Sequence, residues 1–407
     1  MNIRPFPAVR PADNDRARRI ASLPYDVMDT AEARAMVAGN PDSFLHVVRS
    51  EIDLPESADP YAPAVYDRAA AALGALLADG RLVREGAPAL YLYRQTMGGR
   101  PQTAVVACCD IDDYASGTIL RHEKTRRDKE DDRTRHILRT GANTGQVFLT
   151  YADVPAIDAL VAAETARSPL YDFTADDGVG HTVWRVADPA AFRAAFAAVP
   201  RAYIADGHHR SAASFRAGME RRAADPEPDS AKEYNGFMAC LFPASQLRIL
   251  PYNRLLLTLG GHTPEEFLAE VARRFDVAPA DKPAPDAGQC CHLYFRGRWL
   301  RLAWDVPADA TPVERLVVSV LQDRLLGPVL GIDDPRTSKD IAFVGGIRGT
   351  GELVRAVDSG AAEMAFSMYP TTVAQMMAIA DAGAIMPPKS TWFEPKLRSG
   401  LLVHELG

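Results

Sequence analysis

The residues best suited to chemistry stand together at Asp206-Gly207-His208-His209-Arg210. They follow the apolar run Tyr203-Ile204-Ala205 and precede the helix-forming stretch Ser211 to Ala223. A strand that turns at a glycine into a helix leaves main-chain N–H groups unsatisfied at the helix start. Those groups, with the positive end of the helix dipole, bind anions. Gly207 permits a tight turn and close backbone approach. His208 and His209 add donors, and the Arg210 guanidinium can grip a phosphate through two parallel hydrogen bonds. Asp206 is the candidate to hold a magnesium ion or to fix a histidine tautomer. The plainer alternative is a strand–turn–helix with two satisfied histidines.

Three further stretches carry reactive side chains. From Arg121 to His136, twelve of sixteen residues are charged. Read as one solvated helix laced with ion pairs, this run would place Glu123, Arg126, Glu130 and Arg133 on a single face. Near the C-terminus, the segment Ile385 to Lys396, with Pro387-Pro388 ahead of Lys389, Ser390 and Thr391, sets Lys389 on a proline-stiffened loop able to reach a phosphate. Between Asn40 and Asp53, the residues His46, Arg49, Glu51 and Asp53 are expected around a strand.

The elements that must position these groups alternate without a regular β-α-β rhythm. Helices are expected near 62–79, 155–167, 189–198, 263–275 and 313–326. A hairpin is expected across Gly98-Gly99, and a short strand leads into Asp206. That mixture indicates an α+β fold with a central mixed sheet. Its length of 407 residues suggests several packed regions, taken as 1–118, 119–235 and 236–407. The formal net charge of −7 argues against broad nucleic-acid binding, which needs a basic surface. Five cysteines without a C-x-x-C pair indicate buried reduced thiols. No stretch reads as a signal peptide or a membrane span, so the expected location is the cytoplasm with no membrane partner. No G-x-x-x-x-G-K-[ST] loop occurs, which excludes an ordinary P-loop kinase.

Taken in order, Pro24-Tyr25-Asp26-Val27, Asn40 to Asp53, Tyr91 to Gln95, His122-Glu123-Lys124-Thr125 with Lys129 to Arg133, Ala205 to Arg210, Val344 to Gly346 and Met386 to Thr391 resemble the domain-of-unknown-function family 1015 over nearly the whole chain. The Asp206–Arg210 segment also resembles the phosphate-binding turn of the ParB/sulfiredoxin-like superfamily, which includes the free-serine kinase that phosphorylates L-serine with a nucleotide. That resemblance implies a small-molecule kinase or related phosphotransferase. Its donor would be a nucleotide or pyrophosphate and its acceptor a small hydroxy compound such as serine. Gly207, His208, His209 and Arg210, with Arg126 or Arg133, would hold phosphate. Glu123, beside His122, would take the hydroxyl proton, Lys389 would approach the transferred group, and Mg2+ would sit at Asp206. A phosphatase or nucleotide hydrolase, and a non-catalytic nucleotide-responsive regulator, are the alternatives.

Overall fold

A computed structural model describes all 407 residues and divides them into two compact units, Met1–Leu247 with Pro395–Gly407, and Arg248–Glu394. The architecture is α+β with a mixed central sheet. That sheet, in the first unit, runs Ile119–Leu120, Ala202–Asp206, Val147–Tyr151, Gly236–Pro243, Arg100–Asp110, Tyr91–Met97, Gly180–Arg185 and Tyr171–Thr174, with Ile3–Arg4 paired to Arg100–Asp110. Most neighbours are antiparallel. Ala202–Asp206 runs parallel to Ile119–Leu120, and Gly236–Pro243 parallel to Val147–Tyr151. Segments on both sides of residue 118 therefore build one sheet.

The central strands are buried on both faces and read as near-continuous apolar runs, as in Val105-Val106-Ala107-Cys108-Cys109. One face carries Leu92, Val105, Leu149, Ile204, Phe237 and Leu241, packed with Phe192 and Phe196 of the helix Pro189–Ala197. All five cysteines are buried and free. A second, four-stranded sheet joins Leu82–Arg84, Ala8–Pro11, Val403–Glu405 and Ala142–Asn143, so the C-terminal segment is stitched into the N-terminal one.

The second unit holds a six-stranded antiparallel sheet in the order Asp276–Pro279, Arg298–Ala303, Cys290–Phe295, Met364–Met368, Tyr252–Leu256 and Ile341–Gly345. The helix Pro264–Arg274 starts with the expected capping box, Thr263 bonding the Glu266 amide and Glu266 bonding back. A short ribbon pairs Ile249 with Phe393 and Leu250 with Trp392, so the chain's way in and way out of this unit lie side by side.

Two local expectations are corrected. His46, Arg49, Glu51 and Asp53 lie on a short helix, Leu45–Val48, and a 3-10 turn, Ser50–Asp53, not around a strand. They pair among themselves, His46 with Asp53 at 2.8 Å and Arg49 with Glu51 at 2.9 Å. The charged run is not one helix either: Arg127–Thr140 is helical, but residues before it form a loop. The helix packs through buried polar groups in place of an apolar stripe. Asp132 accepts from the Tyr66 hydroxyl at 3.0 Å, and the His136 ring meets the Val47 carbonyl at 2.9 Å.

Candidate anion site at the Gly207 turn

The strand Ala202–Asp206 slips register against Val147–Tyr151 between Ile204 and Asp206, a bulge that re-aims the chain just before the turn. Gly207 then adopts φ +97°, and the helix His208–Ala224 begins at once, three residues before the Ser211 start expected from the sequence. A Cβ at Gly207 would stand 3.0 Å from Arg210 Nε, so this glycine is required both by its backbone and by the guanidinium beneath it. The helix lies close against its surroundings through small residues. At Gly218 a Cβ would come within 2.5 Å of the Tyr234 carbonyl. No side chain caps its N-terminus, and no acidic residue occupies its first turn.

Two cations flank the Asp206 carboxylate: Lys396 Nζ at 3.1 Å and Arg210 Nη2 at 3.3 Å. Burial alone would raise this acid, but Lys396 first and Arg210 next hold it well below the usual carboxylate range. Arg210 is itself buried. It donates to the Gln146 carbonyl and to Asp206, and Asp26 lies 3.9 Å away. Its Nε has no hydrogen-bond partner in the chain, nor do Gln146 Nε2 and both ring nitrogens of His122. Four of the fourteen such atoms in the chain lie at this turn.

The two histidines of the turn act chiefly as acceptors. His208 Nε2 receives the main-chain N–H of His122 over a long 3.5 Å, and His209 Nε2 receives that of Arg126 at 3.0 Å. They pin the loop His122–Arg126 over the helix start, which takes Arg126 out of the helix that follows. With Nε2 accepting, the proton of neutral His208 is on Nδ1, 3.9 Å from the Glu123 carboxylate. Burial, reinforced by the neighbouring His122, drives His208 well below its ordinary value, so it is neutral at pH 7. His122 packs edge-on against the His208 ring, with centroids 4.5 Å apart, and burial lowers it to about 4. His122 thus lies behind the site as a neutral ring.

The remaining candidates divide. Arg126 is exposed and spent on Asp128, at 2.8 Å. Arg133 is half-buried, bonded to Asp132 at 2.8 Å and lying 4.2 Å from the Tyr25 ring centroid. It therefore props Tyr25, the residue before Asp26. Lys389 belongs to the second unit, where its ammonium lies 5.5 Å from the Tyr252 ring centroid. Asp206 does not suit a metal ion, because a cation already stands within 3.3 Å of each of its oxygens. The half-exposed carboxylates are Glu123 and Asp26, with side chains 48% and 37% accessible. Sequence reasoning missed the roles of Lys396, Gln146 and Asp26. Asp26, inside Pro24-Tyr25-Asp26-Val27, and Lys396, at the end of Ile385 to Lys396, stood in segments singled out from the sequence, and Gln146 did not.

Three solved structures show the level of likeness to known folds. A conserved hypothetical protein from Pyrococcus furiosus is 12% identical, covering 74% of this chain and 95% of its own, with a TM-score of 0.37. A free serine kinase in complex with AMP is 11% identical, covering 73% and 91%, with a TM-score of 0.37. SbnI with C-terminal truncation from Staphylococcus aureus is 11% identical, covering 74% and 87%, with a TM-score of 0.40. No curated protein matches the sequence. The family described as protein of unknown function (DUF1015) matches residues 3–322, most of the chain, and the protein belongs to that family.

Proposed function

We propose that this protein is a small-molecule phosphotransferase whose donor phosphates sit at the Gly207 turn. The observation that carries the reading is the uncapped start of the helix His208–Ala224, surrounded by the orphaned polar atoms of His122, Gln146 and Arg210. An incoming phosphate would meet main-chain N–H groups and the field of Lys396 and Arg210. Arg210 works from beneath the turn, fixing Gly207 and Asp206, and does not clamp the phosphate from above. Magnesium, if it accompanies a nucleotide or pyrophosphate donor, would be held by Asp26 or Glu123, not by Asp206. It would neutralise charge on the phosphate oxygens.

In the transfer, an acceptor hydroxyl oxygen forms the new bond to the terminal phosphorus. The bond from that phosphorus to the donor's bridging oxygen breaks, and the donor leaves with the electron pair. The hydroxyl proton passes to Glu123, whose carboxylate faces the Nδ1–H of His208. L-Serine is the acceptor to try first, since the Asp206–Arg210 segment resembles that of the free-serine kinase.

A donor-by-acceptor screen scored by mass spectrometry tests this. Phosphoserine or another phosphate ester is expected, with Glu123→Gln lowering turnover by about a hundredfold or more while leaving donor affinity nearly intact. Free phosphate released at the same rate without an acceptor would make the protein a hydrolase. Nucleotide binding with no product would make it a regulator. Ester formation untouched by Glu123→Gln would remove Glu123 from the mechanism.

A further inference from the structure

Arg254 is a buried cation with no counter-ion. It occupies the strand Tyr252–Leu256, between Ile341–Gly345 and Met364–Met368 in the second unit's sheet, and is 4% exposed. Its guanidinium donates to the main-chain carbonyls of Tyr252 and Lys389 and lies 5.4 Å from the Phe343 ring centroid. No carboxylate pairs with it. Burial pushes it down to about 10, a large displacement for an arginine. The contrast with the first unit is direct, where buried Arg210 has Asp206 and half-buried Arg133 has Asp132. A buried charge is ordinarily paired, whereas this one donates to main-chain carbonyls alone.

Arg254 lines a cleft of about 250 Å³. Its apolar wall is built by Val318, Leu326, Ile341, Pro387 and Pro388. Asp333 and Asp334 also line it, and Asp334 is neutralised by Arg336 at 2.9 Å. Val318 belongs to the helix Val317–Leu321, which passes into a π-helical turn, Gln322–Leu326. Such turns are rare and gather at functional sites. Met386 to Thr391, which supplies Pro387 and Pro388 to the lining, is a locked loop. Ser390 Oγ donates to the Pro387 carbonyl at 2.6 Å, and Thr371 Oγ1 donates to the Ser390 carbonyl at 3.0 Å. Lys389 sits at φ +57°, a left-handed conformation uncommon outside glycine. That conformation accompanies the Lys389 carbonyl that Arg254 bonds.

We infer that this cleft binds a small organic monocarboxylate, with the carboxylate on Arg254 and the apolar body against Val318, Leu326, Ile341 and the Pro387–Pro388 wall. A phosphate dianion suits it less. The cleft offers one uncompensated cation, and the free charge beside it, Asp333, is negative. The site belongs to the second unit alone and stands or falls independently of the phosphotransferase reading.

Titration calorimetry on the full chain, with isobutyrate and benzoate as probes and isobutyramide and inorganic phosphate as controls, tests the inference. At least one carboxylate is expected to bind saturably, and the amide, of the same shape without the charge, is not. Arg254→Lys keeps the charge but not the planar fork, and should weaken binding about tenfold or more. Val318→Phe fills the cleft with Arg254 intact and should abolish it, which settles the matter should Arg254→Lys fail to fold. Absence of saturable binding by both carboxylates, equal binding of the amide or of phosphate, or undiminished binding in Val318→Phe would each overturn the inference.

Discussion

Buried histidines set how this protein responds to acid. Burial lowers His122 and His136 to about 4 and His181 to about 3, from an ordinary 6.5. Because these folded-state values lie below the unfolded one, the unfolded chain takes up protons first as pH falls. The contribution of the neutral rings is whole above pH 6.5 and drains away between 6.5 and about 4. Asp206, also held low, adds a loss only at more acid pH. Calorimetric melting at stepped pH should therefore show Tm falling from 6.5 downward, ahead of the carboxylate range, and a His136→Gln variant should fall less steeply. A flat Tm across that window would refute it. These residues also mark what sequence could convey. Asp206 through Arg210 is legible as a turn because its residue types and order carry the chemistry. That His208 and His209 would accept main-chain N–H groups was not, since ring orientation depends on the loop 122–126 folding back. The role of Lys396, the last residue of the segment Ile385 to Lys396, was not legible for a similar reason. Its partner Asp206 is chosen by a long return of the chain, while stiff Pro387-Pro388 drew attention to Lys389.

Among elements, the strand–turn–helix at Gly207 does the most and was read most fully, save for its start. Strongly patterned pieces came through within a residue or two, such as Pro63–Ala78 and the hairpin Tyr91–Met97 with Arg100–Asp110. The charged run misled because helical spacing alone does not say where a helix begins. Here the Arg126 amide is claimed by His209. Gly207→Ala tests the turn itself. The substitution forces a Cβ into a left-handed backbone and against Arg210 Nε, and should cost about 1–3 kcal/mol in urea unfolding. It should also weaken ADP binding measured by calorimetry. Unchanged stability together with unchanged ADP affinity would mean the turn is not what shapes the site.

At the scale of the whole molecule, the second unit interrupts the first. No helix is long and apolar enough to cross a membrane. The ribbon pairing Ile249 with Phe393 and Leu250 with Trp392 brings the two chain crossings together, so a short linker can bridge them. Replacing residues 249–393 by a brief Gly-Ser turn should leave a folded first unit, with the near-ultraviolet circular dichroism and cooperative melting of packed aromatics. A molten, non-cooperative product would show that the first unit needs the second to fold.

The return of Pro395–Gly407 into the first unit also orders events during translation. Asp206 leaves the ribosome long before Lys396, with all of residues 248–394 made between them. At about 5–20 residues per second, the 190 residues from Asp206 to Lys396 take roughly 10–40 s. Throughout that interval the strand Val403–Glu405 and the Lys396 ammonium do not yet exist. The nascent chain can finish its second unit while the Gly207 turn still lacks one of its two cations, so the surroundings of Asp206 are completed only as the last segment emerges.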